Sequence, residues 1–186
     1  MKPHLVIVGI GNPGKQYEHT RHNVGFQALE ELASAFATGE WKEAPKFLSR
    51  TREARLVTAA ILLVEPQTFV NRTGEAIRKI IDFYKLDPAT QLLVITDDID
   101  LPAGDLRLRL KGRPGTHNGL RSVVASIGEN FPRLRIGVGM PEPGHDLANW
   151  VLSVPSPDER QVLTKTLREI PERVKSFVLE QFPDAE

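Results

Sequence analysis

Cysteine is absent from the 186-residue chain, which excludes disulfide bonds, thiolate zinc sites and a cysteine nucleophile. No apolar run is long enough to cross a membrane. The apolar run after Met1-Lys2 is too short for the core of a signal peptide, and no small-residue cleavage site follows it. Sequence repeats and low-complexity tracts are lacking as well. These absences, with an ordinary 40% apolar fraction, favour one globular domain spanning residues 1–186 in the cytoplasm.

The chain has no net charge, since 24 basic residues balance 24 acidic ones. This balance argues against a protein that binds nucleic acid over its whole surface. The charges are nevertheless uneven, because residues 86–105 contain five aspartates and no Lys or Arg. Residues 106–135 contain one acid, Glu129, and seven basic residues: Arg107, Arg109, Lys111, Arg113, Arg121, Arg133 and Arg135. Such a basic stripe can attract phosphates, although a solvated protein face has the same composition.

Apolar periodicity predicts strands that alternate with helices. Buried or half-buried strands are expected at 5–8, 47–51, 56–64, 92–97, 106–110 and 134–138. Helices are expected at 24–36, from Asn71 or Thr73 to Tyr84, at 120–127, and from Pro157 to Val174. The pattern indicates an α/β fold with a largely parallel or mixed central sheet and helices outside it. No linker divides the chain.

The segment Gly9-Ile-Gly-Asn-Pro-Gly14 matches the dinucleotide-binding pattern G-x-G-x-x-G and nearly matches a P-loop. Both motifs need a helix directly after the glycines, to hold phosphate at its N-terminus. Residues 15–23 are polar and show no helical periodicity, and Pro13 lacks the N–H that a phosphate cradle requires. A tight turn that directs Asn12 away from a strand end explains the glycines better. A magnesium-dependent nucleotide hydrolase stays open as an alternative.

Asparagines stand near strand-to-helix junctions in three loops, at Asn12, Asn71 and Asn118, while His22 and Asp97 follow strands nearby. Four of them have a simpler interpretation: Asn71, Asn118 and His22 as helix caps, and Asp97 as a turn residue or cation ligand. If they converge, the site has a base, an acid that orients it, and amides that donate to an oxyanion. That combination suits hydrolysis of an ester or amide by water. The G-x-S-x-G and H-E-x-x-H motifs are absent.

These motifs, in this order and spacing, resemble bacterial peptidyl-tRNA hydrolase. The similarity rests on Gly-Asn-Pro-Gly14, Tyr17-x-x-Thr-Arg-His22-Asn-x-Gly25, Asn71 with Gly74, Asp97 with Asp100-Leu-Pro, and His117-Asn118-Gly-Leu, and it extends to about residue 180. The resemblance implies a single α/β domain with a mixed central sheet. It also implies an enzyme that cleaves the ester between a peptide and the terminal ribose of tRNA, without a cofactor or metal.

The resemblance also assigns roles. His22 is implied to activate water, with Asp97 orienting it and Asn12 placing the water. Substrate-binding roles fall on Tyr17, Val70, Asn71, His117 and Asn118, and contacts to the tRNA acceptor arm fall on Arg107, Arg109 and Arg133. Contacts of this kind give affinity without reading sequence. A monomer without an obligate protein partner is expected.

The chain departs from the family pattern in four places. Val70 replaces a methionine, and Thr116 replaces the second glycine of the loop before His117. Residues 144–146 stand where relatives often carry a phosphate-binding lysine, and the family's C-terminal segment is usually longer and more basic. Two further alternatives stay open: an RNA-binding protein on this fold that has lost catalysis, and an esterase for another acyl-RNA or small acyl ester.

Overall fold

Seven strands form one mixed sheet in the computed structural model, which describes residues 2–181. The spatial order is β2-β3-β4-β1-β5-β7-β6. The four inner strands β4, β1, β5 and β7 run parallel, and β2, β3 and β6 pair antiparallel at the two sides. The α/β prediction with a mixed sheet is confirmed. The strands are β1 (Leu5–Gly9), β2 (Lys42–Ala44), β3 (Ser49–Leu56), β4 (Ala59–Pro66), β5 (Leu92–Asp98), β6 (Leu106–Arg109) and β7 (Arg133–Gly137).

Helices cover both faces of the sheet, because its inner strands are apolar on both sides. Alternate residues of β1 serve the two faces: Leu5 and Ile7 pack towards α1 and α6, and Val6 and Val8 towards α2 and α4. No helix within residues 2–181 is long and apolar enough to span a membrane. The helices are α1 (Val24–Phe36), α2 (Thr73–Tyr84), α3 (Pro88–Gln91), α4 (Asn118–Ile127), α5 (Leu147–Val151) and α6 (Pro157–Gln181).

Most elements lie where the apolar periodicity predicts them, and α1 has the predicted bounds. Two predicted strands have wrong bounds. The strand at 47–51 begins too early and ends too soon, because Phe47 lies in a 3-10 turn and β3 spans Ser49–Leu56, and the strand at 56–64 begins too early, because β4 begins at Ala59. In the hairpin turn between β3 and β4, Val57 has a positive φ of 54°. A turn at this position could not be predicted from the sequence, because β-branched residues rarely adopt a positive φ. The C-terminal segment that is usually longer and more basic in the family includes residues 182–186, which lie outside the described residues.

The loop after β1 does not lead into a phosphate-binding helix. Only a 3-10 turn, Lys15–Tyr17, follows the glycines. A Cβ placed on Gly9 would lie 2.4 Å from the carbonyl oxygen of Gly25, and a Cβ on Gly25 would lie 2.6 Å from that of Ile95. These two glycines therefore allow the start of α1 to pack directly on β1 and β5. The nucleotide-binding alternative loses the helix on which it depends.

Candidate active site

The predicted base and its acid meet at the carboxyl edge of the parallel strands, where open α/β sheets bind their ligands. His22 lies in a 3-10 turn, Arg21–Asn23, between β1 and α1. Asp97 lies near the end of β5, the strand beside β1. Nδ1 of His22 lies 2.9 Å from Oδ1 of Asp97. A carboxylate at this nitrogen keeps the proton on Nδ1, which leaves Nε2 of His22 unprotonated and able to accept one.

Burial and charge act against each other on this pair. Burial lowers the pKa of His22, but the charge of Asp97 and its hydrogen bond outweigh burial, so the pKa lies above its ordinary value. Burial likewise opposes ionisation of Asp97, yet the imidazoles of His117 and His22 hold its pKa well below the ordinary range. Asp97 is therefore an anion at neutral pH and stabilises a proton on His22.

A second histidine contacts the same carboxylate oxygen. Nε2 of His117 lies 2.7 Å from Oδ1 of Asp97 and 2.9 Å from the hydroxyl oxygen of Thr96. The other ring nitrogen, Nδ1, accepts the backbone N–H of Leu120 at 3.1 Å and so caps α4. His117 was predicted to line the crevice, but the spacing of residues gave no sign that it binds Asp97.

Two imidazoles and one carboxylate also have the composition of a zinc site, and their ligand atoms lie within 4.8 Å of one another. A metal bound at Nε2 of His117 would require the proton of that ring to sit on Nδ1. That nitrogen already accepts the N–H of Leu120, so the cap and the metal need opposite tautomers. The geometry fits a hydrogen-bonded His–Asp–His group.

Asn12 is held in place by Asn23, for which the sequence predicted no role. The side-chain amide of Asn23 accepts the backbone N–H of Asn12 at 2.9 Å and donates to its carbonyl oxygen at 2.9 Å. The side-chain Oδ1 of Asn12 accepts the backbone N–H of Val70 at 3.0 Å. Asn23 and Asn12 are both buried. Hydrogen bonds therefore connect the loop after β1, the turn that contains His22 and the loop that contains Val70. In the sequence, the run of polar residues around His22 is the signal that could have indicated a role for Asn23.

The remaining predicted substrate residues lie around this unit. Asn118 is exposed and lines a cavity together with His22, Asp97 and His117. Asn71 is exposed in the 3-10 turn that contains Val70, and Tyr17 packs edge-on against Phe69 at 6.2 Å between ring centroids. Neither asparagine is a helix cap, because Arg72 precedes α2 and His117 caps α4. The capping interpretation of Asn71 and Asn118 is wrong.

One of the three arginines predicted to contact tRNA is placed where it cannot do so. Arg133 has 0% of its surface exposed. Its guanidinium donates to the carbonyl oxygens of Gly112 at 2.6 Å, Glu129 at 2.8 Å and Phe131 at 3.1 Å. Burial and the neighbouring Arg135 lower the pKa of Arg133 to about 10, so the group stays charged at neutral pH. The prediction for Arg133 is wrong, because backbone carbonyls occupy the donors that a phosphate would need.

Arginines do face the cavity and the edge of the sheet. Arg107 and Arg109 are exposed on β6, as predicted. Arg135 is half-buried, lines the cavity with His22, and donates to Oδ2 of Asp98 at 3.2 Å. Arg135 belongs to the basic stripe of residues 106–135, but no site role was predicted for it. Because Asp98 pairs with Arg135 while Asp97 faces the histidines, the neighbouring carboxylates do not converge on one cation.

The turn that holds His22 is also tied to the segment that covers the cavity. Buried Arg21 donates to the hydroxyl oxygen of Ser153 at 2.6 Å and to Glu159 at 2.7 Å. Its guanidinium stacks on the ring of Trp150 in α5, 3.5 Å from the ring centre. Leu147, Ala148 and Val151, also in α5, line the cavity wall. The base, the cavity wall and the start of α6 are therefore fixed relative to one another.

This mixed-sheet α/β domain, with a buried His–Asp pair and amides at its edge, has the features of a hydrolase. A model of the peptidyl-tRNA hydrolase family matches residues 6–186, so the chain belongs to that family of enzymes, and the resemblance seen in the sequence is confirmed. Peptidyl-tRNA hydrolase of Aquifex aeolicus is 46% identical over 165 residues, which cover 88% of this chain and 84% of that protein. The enzyme of Chloroflexus aggregans is 44% identical over 176 residues, which cover 94% and 93%.

The fold agrees with the family as well. The crystal structure of peptidyl-tRNA hydrolase from Acinetobacter baumannii matches with a TM-score of 0.90 and 35% sequence identity. The match covers 100% of this chain and 93% of that structure. The sequence match and the fold therefore agree on the same family.

Proposed function

We propose that the protein hydrolyses the ester bond between a peptide, or an N-blocked aminoacyl group, and the 3′ terminal ribose of tRNA. Free tRNA would then return to translation. Membership of the peptidyl-tRNA hydrolase family supports the reaction. The observation that carries the mechanism is the 2.9 Å contact from Asp97 to Nδ1 of His22, which leaves Nε2 of the ring as a base.

In this mechanism, Nε2 of His22 removes a proton from water while the water oxygen attacks the ester carbonyl carbon. Asp97 stabilises the imidazolium that forms. The carbonyl oxygen becomes an oxyanion, which an amide N–H can stabilise. Asn118, which lines the cavity with His22, is proposed to donate that N–H. Asn12 is proposed to place the water through its Nδ2, since the backbone N–H of Val70 binds its Oδ1. When the intermediate collapses, His22 returns the proton to the departing ribose oxygen.

Substrate binding is proposed for the residues around this centre. Asn118 lines the cavity and can hold the carbonyl oxygen or a water, and His117 borders the same space. Tyr17, Val70 and Asn71 are proposed to bind the peptide, because Val70 contacts Asn12 and Tyr17 packs on Phe69 beside the same turn. Val70 gives this turn a shorter apolar side chain than the methionine usual in the family. All five roles extend the family resemblance to this chain.

We place the acceptor arm of the tRNA along the exposed arginines of β6. Arg107 and Arg109 project from one face of this edge strand, and Arg135 continues the positive charge to the cavity. Contacts from these side chains would add affinity that falls with salt. The proposed enzyme acts as a monomer in the cytoplasm, where translation generates its substrate, and needs neither a cofactor nor a protein partner.

The test is the release of labelled amino acid from N-acetyl-aminoacyl-tRNA, in the presence of EDTA. Wild-type protein should release it, and His22→Ala should lose about 10²-fold or more in kcat, the usual contribution of a general base. Asp97→Asn should also lose activity, because the amide cannot stabilise the imidazolium. His4→Asn is a matched control, since His4 precedes β1 at the opposite edge of the sheet. Binding of tRNA without release by the wild type would instead favour an RNA-binding protein that has lost catalysis.

A further inference from the structure

We infer that His117 is a positioning residue that acts through Asp97: its second hydrogen bond to the shared oxygen limits how strongly Asp97 holds a proton on His22. The inference extends the proposed function, because it concerns the strength of the proposed base. It gives His117 a role distinct from contact with substrate.

The geometry places both rings on one oxygen atom. Oδ1 of Asp97 lies 2.9 Å from Nδ1 of His22 and 2.7 Å from Nε2 of His117. The two ring centroids are 5.0 Å apart, and the ring planes are tilted by 47°. Asp97 is only 2% exposed, so solvent does little to screen either interaction. The two imidazoles therefore share the charge of one carboxylate oxygen.

The tautomer of His117 is fixed from both sides of the ring. Nδ1 accepts the N–H of Leu120, so it carries no hydrogen. The hydroxyl of Thr96 donates to the backbone carbonyl of Asp97, so towards Nε2 of His117 its oxygen serves as an acceptor. Both contacts require the neutral ring with its hydrogen on Nε2. His117 is thus a donor to Asp97, held by the first turn of α4.

A hydrogen donated to Oδ1 offsets part of the charge that stabilises the imidazolium of His22. Without it, Asp97 would hold the proton of His22 more tightly, and the histidine would stay protonated to a higher pH. The other charged groups that line the cavity are Asp98, Asp100 and Arg135. Asp98 is paired with Arg135, and none of the three is altered when His117 alone is replaced.

The decisive variant is His117→Asn. Asparagine is a preferred N-cap residue, so it can keep the cap of α4, but it places no ring N–H against Asp97. The pH dependence of kcat/KM and the NMR titration of the His22 ring should both move to higher pH by about one unit, the size expected for one hydrogen bond to a charged group. Above that midpoint, the pH profile should still level off to a plateau, because His22 and Asp97 remain as base and acid.

The matched control is His4→Asn. Nδ1 of His4 also accepts a backbone N–H, that of Ala60 at 3.0 Å, but it does so at the far edge of the sheet. This variant should leave both midpoints of His22 unchanged. A His22 midpoint that stays constant or falls in His117→Asn would overturn the inference. So would a loss of rate at every pH with no shift, which would instead indicate direct substrate contact or a purely structural role.

Two measurements keep the inference separate from other failures. Long-range ¹H–¹⁵N spectra of the wild-type ring should show the hydrogen of His117 on Nε2, and a hydrogen on Nδ1 would refute the inference even if the variant does not fold. The NMR titration of His22 needs no substrate. If the wild type failed to hydrolyse peptidyl-tRNA, that titration would still decide whether His117 controls the protonation of His22.

Discussion

Arg133 and Arg109 form a natural pair for separating structure from tRNA binding. They stand directly opposite each other in the register of β7 and β6, and both were predicted to contact tRNA. The structure buries Arg133 among backbone carbonyls and leaves Arg109 exposed. Replacing each by methionine removes a guanidinium and keeps an unbranched side chain, so the two variants differ mainly in location.

The expected loss of stability on replacing Arg133 follows from the backbone carbonyl oxygens that lose their hydrogen-bond donors. Arg133→Met removes the donors to the carbonyl oxygens of Gly112, Glu129 and Phe131. A buried acceptor without a partner costs about 1–3 kcal/mol. Relief of the desolvation of a buried charge returns part of this, so a net loss of roughly 3 kcal/mol in the free energy of unfolding is expected. Arg109→Met should change that free energy by no more than about 0.5 kcal/mol.

Two assays should distinguish the variants, because each assay should detect a change in only one of them. Urea denaturation should show the large loss only in Arg133→Met. The dependence of log KM for peptidyl-tRNA on log salt should become shallower, by about one phosphate contact, only in Arg109→Met. Arg133→Met with unchanged stability and a shallower salt dependence would refute the assignment and restore Arg133 as a tRNA contact.

Two further predictions concern buried polar groups. Asn23→Ala removes both hydrogen bonds to the Asn12 backbone, and should cost about 1–3 kcal/mol of stability in urea denaturation and at least about tenfold in kcat. Burial raises the pKa of Glu65 to about 7 despite Arg50, from an ordinary 4.5. The folded state therefore binds the extra proton, and stability falls as pH rises between these values. Glu65→Gln should abolish that fall and gain roughly 3 kcal/mol at pH 8, as Tm against pH would show.

The meeting of His22 and Asp97 could be predicted from the sequence for a simple reason. Each follows or ends a buried strand, and the carboxyl ends of parallel strands share one edge of the sheet. Their strands, β1 and β5, are neighbours. The sequence also predicted correctly that the glycines of residues 9–14 do not form a phosphate-binding loop, because residues 15–23 lack the periodicity of the helix that such a loop needs. In both cases local pattern and topology agree, so no long-range packing detail is needed.

The environments of Arg133 and Arg135 could not be predicted, because alternation puts both side chains on the same face of β7. Whether that face is covered depends on the path of the loop between β6 and α4. Strand periodicity fixes which face a residue occupies, but not which loop crosses it. The exposure of Asn71 and Asn118 could not be predicted either. It depends on the exact residue at which the 3-10 turn before α2 ends and on which residue caps α4.

The loop that covers β7 is also the loop that delivers His117 to the site. Arg133 donates to the carbonyl oxygen of Gly112, Arg135 to that of Arg113, and Arg121 to that of Gly115. These bonds hold three residues of the loop just before His117. Part of the basic stripe therefore acts within the protein, where guanidinium groups satisfy backbone carbonyls that the glycine-rich loop leaves without strand or helix partners. A positive segment of sequence can therefore hold a positioning residue such as His117, and Arg135 does so through the carbonyl oxygen of Arg113 while it faces the cavity where contact with RNA is proposed.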